Sequence, residues 1–182
     1  ILFTLCGKPA AVVNRLPDSS QLQPEPVHCA ALGTQLAHMH LAGQDFEHEQ
    51  PNLRGLPWWN ETAPLVYPHL DSAQSALLQS ELAYQNHIAA SAEYQALPRG
   101  PVHADLFRDN AIFEGEKLSG CFDFYFAGVD TWLFDLCVCL NDWAITHADG
   151  LHEPQRSQAL LDAYQAVRPL TAAERQLLPA MA

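Results

Sequence analysis

The stretch PVHADLFRDNAIFEGEKLSGCFDF, residues 101–124, sets His103, Asp105, Asn110 and Asp123 beside two apolar runs that read as buried β-strand. An unpaired carboxylate in such surroundings is expensive, so the segment needs a reason for holding its acids there. VHADL reads as a short strand or a catalytic-type loop, AIFE as a strand, GEK as a tight turn and LSGCFDFYF as a returning strand. That hairpin brings Asp123 back toward the loop holding Asp105 and Asn110.

The spacing His-x-Asp-x-x-x-x-Asn, with Asp-Phe thirteen residues after the Asn, matches the phosphoryl-transfer template. In that template Asp105 accepts or orients the proton of an attacking hydroxyl. Asn110 offers a neutral oxygen to Mg²⁺, and Asp123 coordinates the cation that bridges the nucleotide phosphates. Mg²⁺ takes hard oxygen ligands and completes its shell with water and phosphate, so one carboxylate and one amide suffice. An isolated Asp-x-x-x-x-Asn is common, and a single Asp beside a strand is ordinarily a turn cap or a solvated edge. Here four polar positions agree in spacing and in strand–loop–strand setting.

Working outward, ILFTL (1–5) and AAVVNRL (10–16) are β-rich runs joined by CGKP, and they predict a hairpin. LPDSSQLQPEP (16–26) reads as a linker and as the best domain boundary. Val27 to Gly43 predicts a helix from the recurrence of Cys29, Leu32, Leu36, Met39 and Ala42 at spacings of three and four. Residues 44–68 predict an irregular excursion or a short helical insert, placed where a lid over a substrate would lie. Asp71 to Leu97 predicts one long helix with an Asp or Ser cap, ending before Pro98. TWLFDLCVCLNDWAITH (131–147) is apolar nearly all round and predicts a buried helix. Pro154 to Val167 predicts an amphipathic helix, and the capping-box pattern at Thr171–Glu174 opens another.

The 182 residues, 48% hydrophobic, support one ordinary domain, or one plus a fragment of another, with a real core. Both ends read as cut, the first within a sheet and the last within a helix. The net charge of −12, with only nine scattered Lys and Arg, argues against nucleic-acid binding by phosphate neutralisation. No apolar run approaches the roughly 20 residues of a membrane span, and no signal peptide is visible. Five cysteines, odd in number, without a Cys-x-x-Cys and mostly in apolar surroundings, point to a reduced, cytoplasmic protein.

HADLFRDN, followed by FDFYFAGVDTWLFDLCVCLNDW, resembles the aminoglycoside phosphotransferase-like kinases, whose motif runs H-x-D-x-x-x-x-N and then (I/V/F)-D-(F/W). Within that superfamily, HADLFRDN with DFYFA and NDW is similar to the bacterial homoserine kinases of protein-kinase-like type. GKPAAVVNRLPDSS and HCAALGTQLAHMHLA resemble that family's hinge and first C-lobe helix. The resemblance implies an α+β, protein-kinase-like fold: residues 1–16 a remnant of the N-terminal β lobe, 17–26 a hinge or linker, and 27–182 a mostly helical C-terminal lobe carrying the catalytic hairpin. It implies ATP-dependent phosphorylation of the L-homoserine hydroxyl, with ATP held at the hinge by Val13, Asn14, Arg15 and Leu16.

By the same resemblance Asp105 is the catalytic base, Asn110 and Asp123 are the metal ligands, His103 braces the loop, and Asp135 supports it. The family's Gly-rich phosphate-covering segment and strand lysine are absent, and Lys8, in a turn, is no substitute. The chain by itself is therefore expected to be nearly inactive, as a part of a complete kinase.

Asp142 is the candidate partner for a substrate ammonium, against the alternative of an acid satisfied by a nearby Arg or backbone. Arg108 either stabilises phosphate charge or holds a substrate carboxylate, against the alternative of a loop Arg bonding backbone carbonyls. His38 and His40, like Cys137 and Cys139, lie two apart on helices and do not share a face, which disfavours a metal pair. Trp58, Trp59, Trp132 and Trp143 are read chiefly as core. The same catalytic group would serve an aminoglycoside, choline or sugar hydroxyl, and a kinase-shaped binding module is the reading from another class.

Overall fold

Helix α1 (Pro26–Ala42) begins at a reciprocal cap: Glu25 takes the role of N-cap, His28 reaches back to its amide, and proline occupies the first turn. Cys29, Leu32 and Leu36 are buried on its inner face as expected, joined by His28, Gly33, Ala37 and His40. Met39 is only half-buried and Ala42 is exposed. Gly33 on the inner face lets α6 (Pro154–Val167) approach closely: a Cβ there would lie 2.3 Å from the Leu160 carbonyl oxygen. Helix α5 (Trp132–Trp143), capped by the Thr131 side chain, supplies much of the remaining core through Leu133, Leu136, Cys137, Cys139, Leu140 and Trp143.

The computed structural model describes residues 2–182. Ile1, expected in the first strand, lies outside the described residues. β1 (Leu2–Leu5) and β2 (Lys8–Ala11) form the expected antiparallel hairpin around Cys6 and Gly7, both at positive φ. The second strand starts earlier than expected, so Lys8 is a strand residue, and 12–16 leave the sheet. The 16–26 segment is stitched into the body, since β3 (Ser19–Ser20) pairs with β5 (Ala111–Glu114). β5 turns at Gly115 into β6 (Lys117–Cys121), which ends before Phe122 rather than running on to Phe126. β4 (Arg99–Val102) pairs with β7 (Gly128–Thr131), a strand not anticipated because GVDT shows no alternation.

The 44–68 segment is irregular to Gly55 and then forms α2 (Leu56–Val66), with a further short turn at Tyr67–His69. The Val129 amide donates to the Gln50 carbonyl at 2.7 Å, and Asn52 Nδ2 donates to Asp130 at 2.8 Å, fastening this segment to β7. The single helix expected over 71–97 is two: α3 (Ser72–Ala89), capped by Asp71, and α4 (Ala92–Gln95). Ser91 makes the break. Its hydroxyl donates to the Ile88 carbonyl at 2.7 Å and accepts the Tyr94 amide at 3.2 Å, closing one helix and opening the next. α7 (Ala172–Met181) opens at the Thr171–Glu174 capping box, as expected. The described residues thus form a helical body with small antiparallel sheets of two, three and two strands, the α+β class expected.

Candidate active site

Residues 103–110 cross from β4 to β5 in a loop tied down at both of its ends. At its start the amides of His103 and Ala104 donate to Asp135 Oδ2 and Oδ1, each at 2.8 Å. Ala104 sits at φ 64°, a left-handed conformation that a non-glycine residue adopts only when its surroundings hold it. Asp135 is fully buried on the first turns of α5. Burial pushes its carboxyl up, but the hydrogen bonds from His40 and the two loop amides outweigh this and hold it below the ordinary value.

At the other end the His103 ring reaches across the hairpin, with Nε2 at 2.9 Å from the Phe122 carbonyl. The Phe122 amide donates to the Asn110 carbonyl at 3.1 Å. Asp123, next in the chain, is bent into the left-handed region at φ 63°, which ends β6 and leaves its carboxylate exposed. Asn110 Nδ2 donates to the Asp105 carbonyl at 2.7 Å and to Asp105 Oδ2 at 3.3 Å. Its amide nitrogen is committed to Asp105, so the oxygen is the group left to receive a ligand. Burial pushes the Asp105 carboxyl above its ordinary 3.8; the His103 ring opposes this, and the charges of Asp123 and Asp109 add to it. The structure therefore brings His103, Asp105, Asn110 and Asp123 to one place.

That place suits a divalent cation. It offers a carboxylate and an amide oxygen, both hard donors, beside a second carboxylate, Asp105, whose upward shift comes first from burial and is added to by the charges of Asp123 and Asp109. Val13, Asn14, Arg15 and Leu16 line a cavity of about 320 Å³ together with Asp18, Ile112 of β5 and Phe122, the residue before Asp123.

Arg108 and Asp142 meet, but the structure occupies them with each other. Arg108 is 3% exposed; its Nε donates to Asp142 Oδ2 at 3.1 Å, Nη1 to the Leu22 carbonyl at 3.0 Å, and Nη2 to the carbonyls of Asp142 and Ile145, the latter at 2.8 Å. The Asp142 carboxylate also accepts the Arg108 amide at 2.7 Å and lies 3.2 Å from the His147 ring. All three guanidinium nitrogens are spent on bracing the loop against α5 and the 16–26 segment. This is the arrangement of a loop arginine on backbone carbonyls and of an acid satisfied by a nearby arginine.

His40, weighed from sequence only as half of a disfavoured metal pair, is a neighbour of the loop's anchor. It is buried with Nε2 3.1 Å from Asp135, while His38 is exposed. Its one signal was position: four residues after Leu36, on the inner face of α1. Of the tryptophans, Trp132 and Trp143 are core, whereas Trp58 and Trp59 line a cleft of about 390 Å³ with Leu82, Gln85 and Asn141.

Residues 1–170 match the phosphotransferase enzyme family. The chain is 60% identical over 181 residues to a homoserine kinase of Polaromonas naphthalenivorans, covering 100% of this chain and 57% of that one. It is 58% identical over 179 residues to a homoserine kinase of Cupriavidus necator, covering 96% and 54%. The chain thus spans about half the length of the curated relatives it matches. Among solved structures, an amicoumacin kinase in complex with AMP-PNP and Ca²⁺ superposes with a TM-score of 0.69 at 16% identity, over 92% of this chain and 52% of that one. A microcompartment-associated aminopropanol kinase superposes with 0.67 at 17% identity, over 100% and 59%. The fold is that of these kinases, and the chain belongs to the phosphotransferase enzyme family.

Proposed function

We propose that this chain forms the catalytic-loop half of an ATP-dependent small-molecule kinase that phosphorylates the hydroxyl of L-homoserine. The observation that carries the reading is the grouping of Asp105, Asn110 and Asp123. A carboxylate with a raised proton affinity sits beside an amide oxygen and a second carboxylate, all fixed by one brace from His103 to Phe122.

Asp105 receives or orients the proton of the attacking hydroxyl. Asn110 and Asp123 hold Mg²⁺, which supplies charge neutralisation for the transferring phosphoryl group. Val13 to Leu16 face the nucleotide base, residues 1–16 belong to the N-terminal β lobe, and 17–26 form the hinge. Arg108 and Asp142 position the loop. The choice of homoserine rests on the relatives' names, since the catalytic grouping serves any alcohol.

Among the described residues no helix is long and apolar enough to cross a membrane, and the five cysteines are free. The free cysteines fit a cytoplasmic enzyme using ATP and a small amino alcohol.

The test is phosphoryl transfer from Mg-ATP to L-homoserine, choline and an aminoglycoside, by this chain and by a chain of the relatives' length carrying these residues. We expect homoserine to be preferred by the longer chain. Asp105→Asn should lose at least about a hundredfold in kcat, as expected for a general base, and the 182-residue chain should be nearly inactive. Preference for another alcohol would overturn the acceptor assignment, and an undiminished rate in Asp105→Asn would overturn the site.

A further inference from the structure

The anchor of the catalytic loop continues into the core beyond Asp135. His40 Nε2 faces Asp135, and the opposite ring nitrogen, Nδ1, lies 2.7 Å from the Tyr164 hydroxyl. Arg168 Nη1 donates to that same hydroxyl oxygen at 3.0 Å, and Nη2 donates to Glu174 Oε1 at 2.8 Å. Glu174 Oε2 accepts the Thr171 amide at 2.8 Å, which completes its own satisfaction. All of these side chains are buried. The Trp132 ring stacks on His40 at 5.6 Å and receives the Arg168 guanidinium 4.5 Å from its centre, so the row is walled from water on that side.

The direction of each hydrogen bond follows from what each group is able to give. A carboxylate only accepts, so the His40 nitrogen facing Asp135 carries a proton. A guanidinium only donates, so the Tyr164 oxygen is an acceptor toward Arg168. Burial pushes the Tyr164 phenol well above its ordinary value, so it keeps its single proton. That proton has the bare Nδ1 of His40 as its acceptor. An imidazolium would aim a second donor at the hydroxyl and leave the hydroxyl's own proton without an acceptor in a dry site.

We propose that Tyr164 is a positioning residue for the catalytic loop. Its hydroxyl proton, aimed by Arg168, fixes His40 as the neutral Nε2–H tautomer, and that ring keeps the Asp135 carboxylate under the His103 and Ala104 amides. The catalytic consequence rests on the kinase reading; the tautomer and the anchoring do not.

Tyr164→Phe deletes the hydroxyl and keeps the ring, which meets His40 edge-on at 5.7 Å. In the ¹⁵N-histidine spectrum of the unsubstituted protein, His40 should show a protonated Nε2 and an unprotonated Nδ1. In Tyr164→Phe the pattern should move to the imidazolium, and the His103 and Ala104 amides should exchange about tenfold faster. In the kinase assay of a chain of the relatives' length, kcat should fall about tenfold with KM for ATP and acceptor unchanged, because the row touches neither ligand.

Arg168→Met should shift the ring pattern in the same sense by freeing the hydroxyl to turn away, and it stands in if Tyr164→Phe does not fold. A protonated Nδ1 in the unsubstituted protein overturns the proposal, as does an unchanged ring pattern in the variant, unchanged amide exchange, or a loss confined to KM. If a chain of the relatives' length carrying these residues phosphorylates no alcohol, the kinase reading fails while the ring and exchange measurements still decide the positioning.

Discussion

Substituting Asp135→Asn tests the central structural claim, that one buried carboxylate fastens the catalytic loop to α5. Three donors converge on its two oxygens: the amides of His103 and Ala104 at 2.8 Å each and His40 Nε2 at 3.1 Å. Asparagine leaves one oxygen for them. With that oxygen in the Oδ2 position, the His103 amide and His40 are still served, but an NH₂ group then confronts the Ala104 amide. A hydrogen bond to a charged group contributes about 1.5–3 kcal/mol, and a buried orphan donor costs about 1–3 kcal/mol more. The expected loss of stability is therefore about 3–5 kcal/mol. For a chain of this size that corresponds to a fall in Tm of roughly 6–20 °C.

Urea unfolding at pH 7, followed by tryptophan fluorescence and far-UV circular dichroism, measures it directly. The acid side gives an independent check. Because the folded state holds the Asp135 carboxyl below its ordinary 3.8, its contribution is complete above that value and is lost as pH falls through the depressed folded one. The gap between the two proteins should accordingly narrow below about pH 4. A difference under about 1 kcal/mol at pH 7, or a gap that stays constant into acid, would refute the reasoning.

Two further outcomes follow from packing. Gly33→Ala gains up to about 1 kcal/mol of helix propensity, yet its new methyl would meet the Leu160 carbonyl oxygen at 2.3 Å; overpacking of about 1–3 kcal/mol wins, and urea midpoints should fall. Burial pushes the thiols of Cys29 and Cys121 up to about 11 and of Cys137 up to about 12, while Cys6 is exposed. Alkylation at pH 8 followed by peptide mass spectrometry should therefore modify Cys6 first, with the other thiols reacting only as the protein unfolds.

Much of the candidate site is legible in the sequence because its signals are local. His103, Asp105 and Asn110 share one loop, and a tight turn with apolar strands on either side returns Asp123 to it. α1, α6 and the start of α7 were legible for the same reason, through periodic apolar positions, prolines in the first turn and a capping box. The failures mark where tertiary contacts overrode or lacked a local pattern. The 71–97 helix breaks because one serine hydroxyl serves two helix ends, and β7 forms because β4 lies alongside it, although GVDT has no alternation of its own.

By itself, the order of residues determined the chemistry on offer: two carboxylates and an amide at the intervals that phosphoryl transfer uses, in a chain with too few cations to grip phosphate unaided. Only the folded chain decided where each buried charge finds its partner. Arg108 is spent on Asp142 and on carbonyls from Leu22 to Ile145, and Asp135 finds His40 across 95 positions of chain. The physical reason is that desolvation makes a buried charge settle wherever donors converge, and that convergence is a property of packed helices rather than of neighbours in sequence.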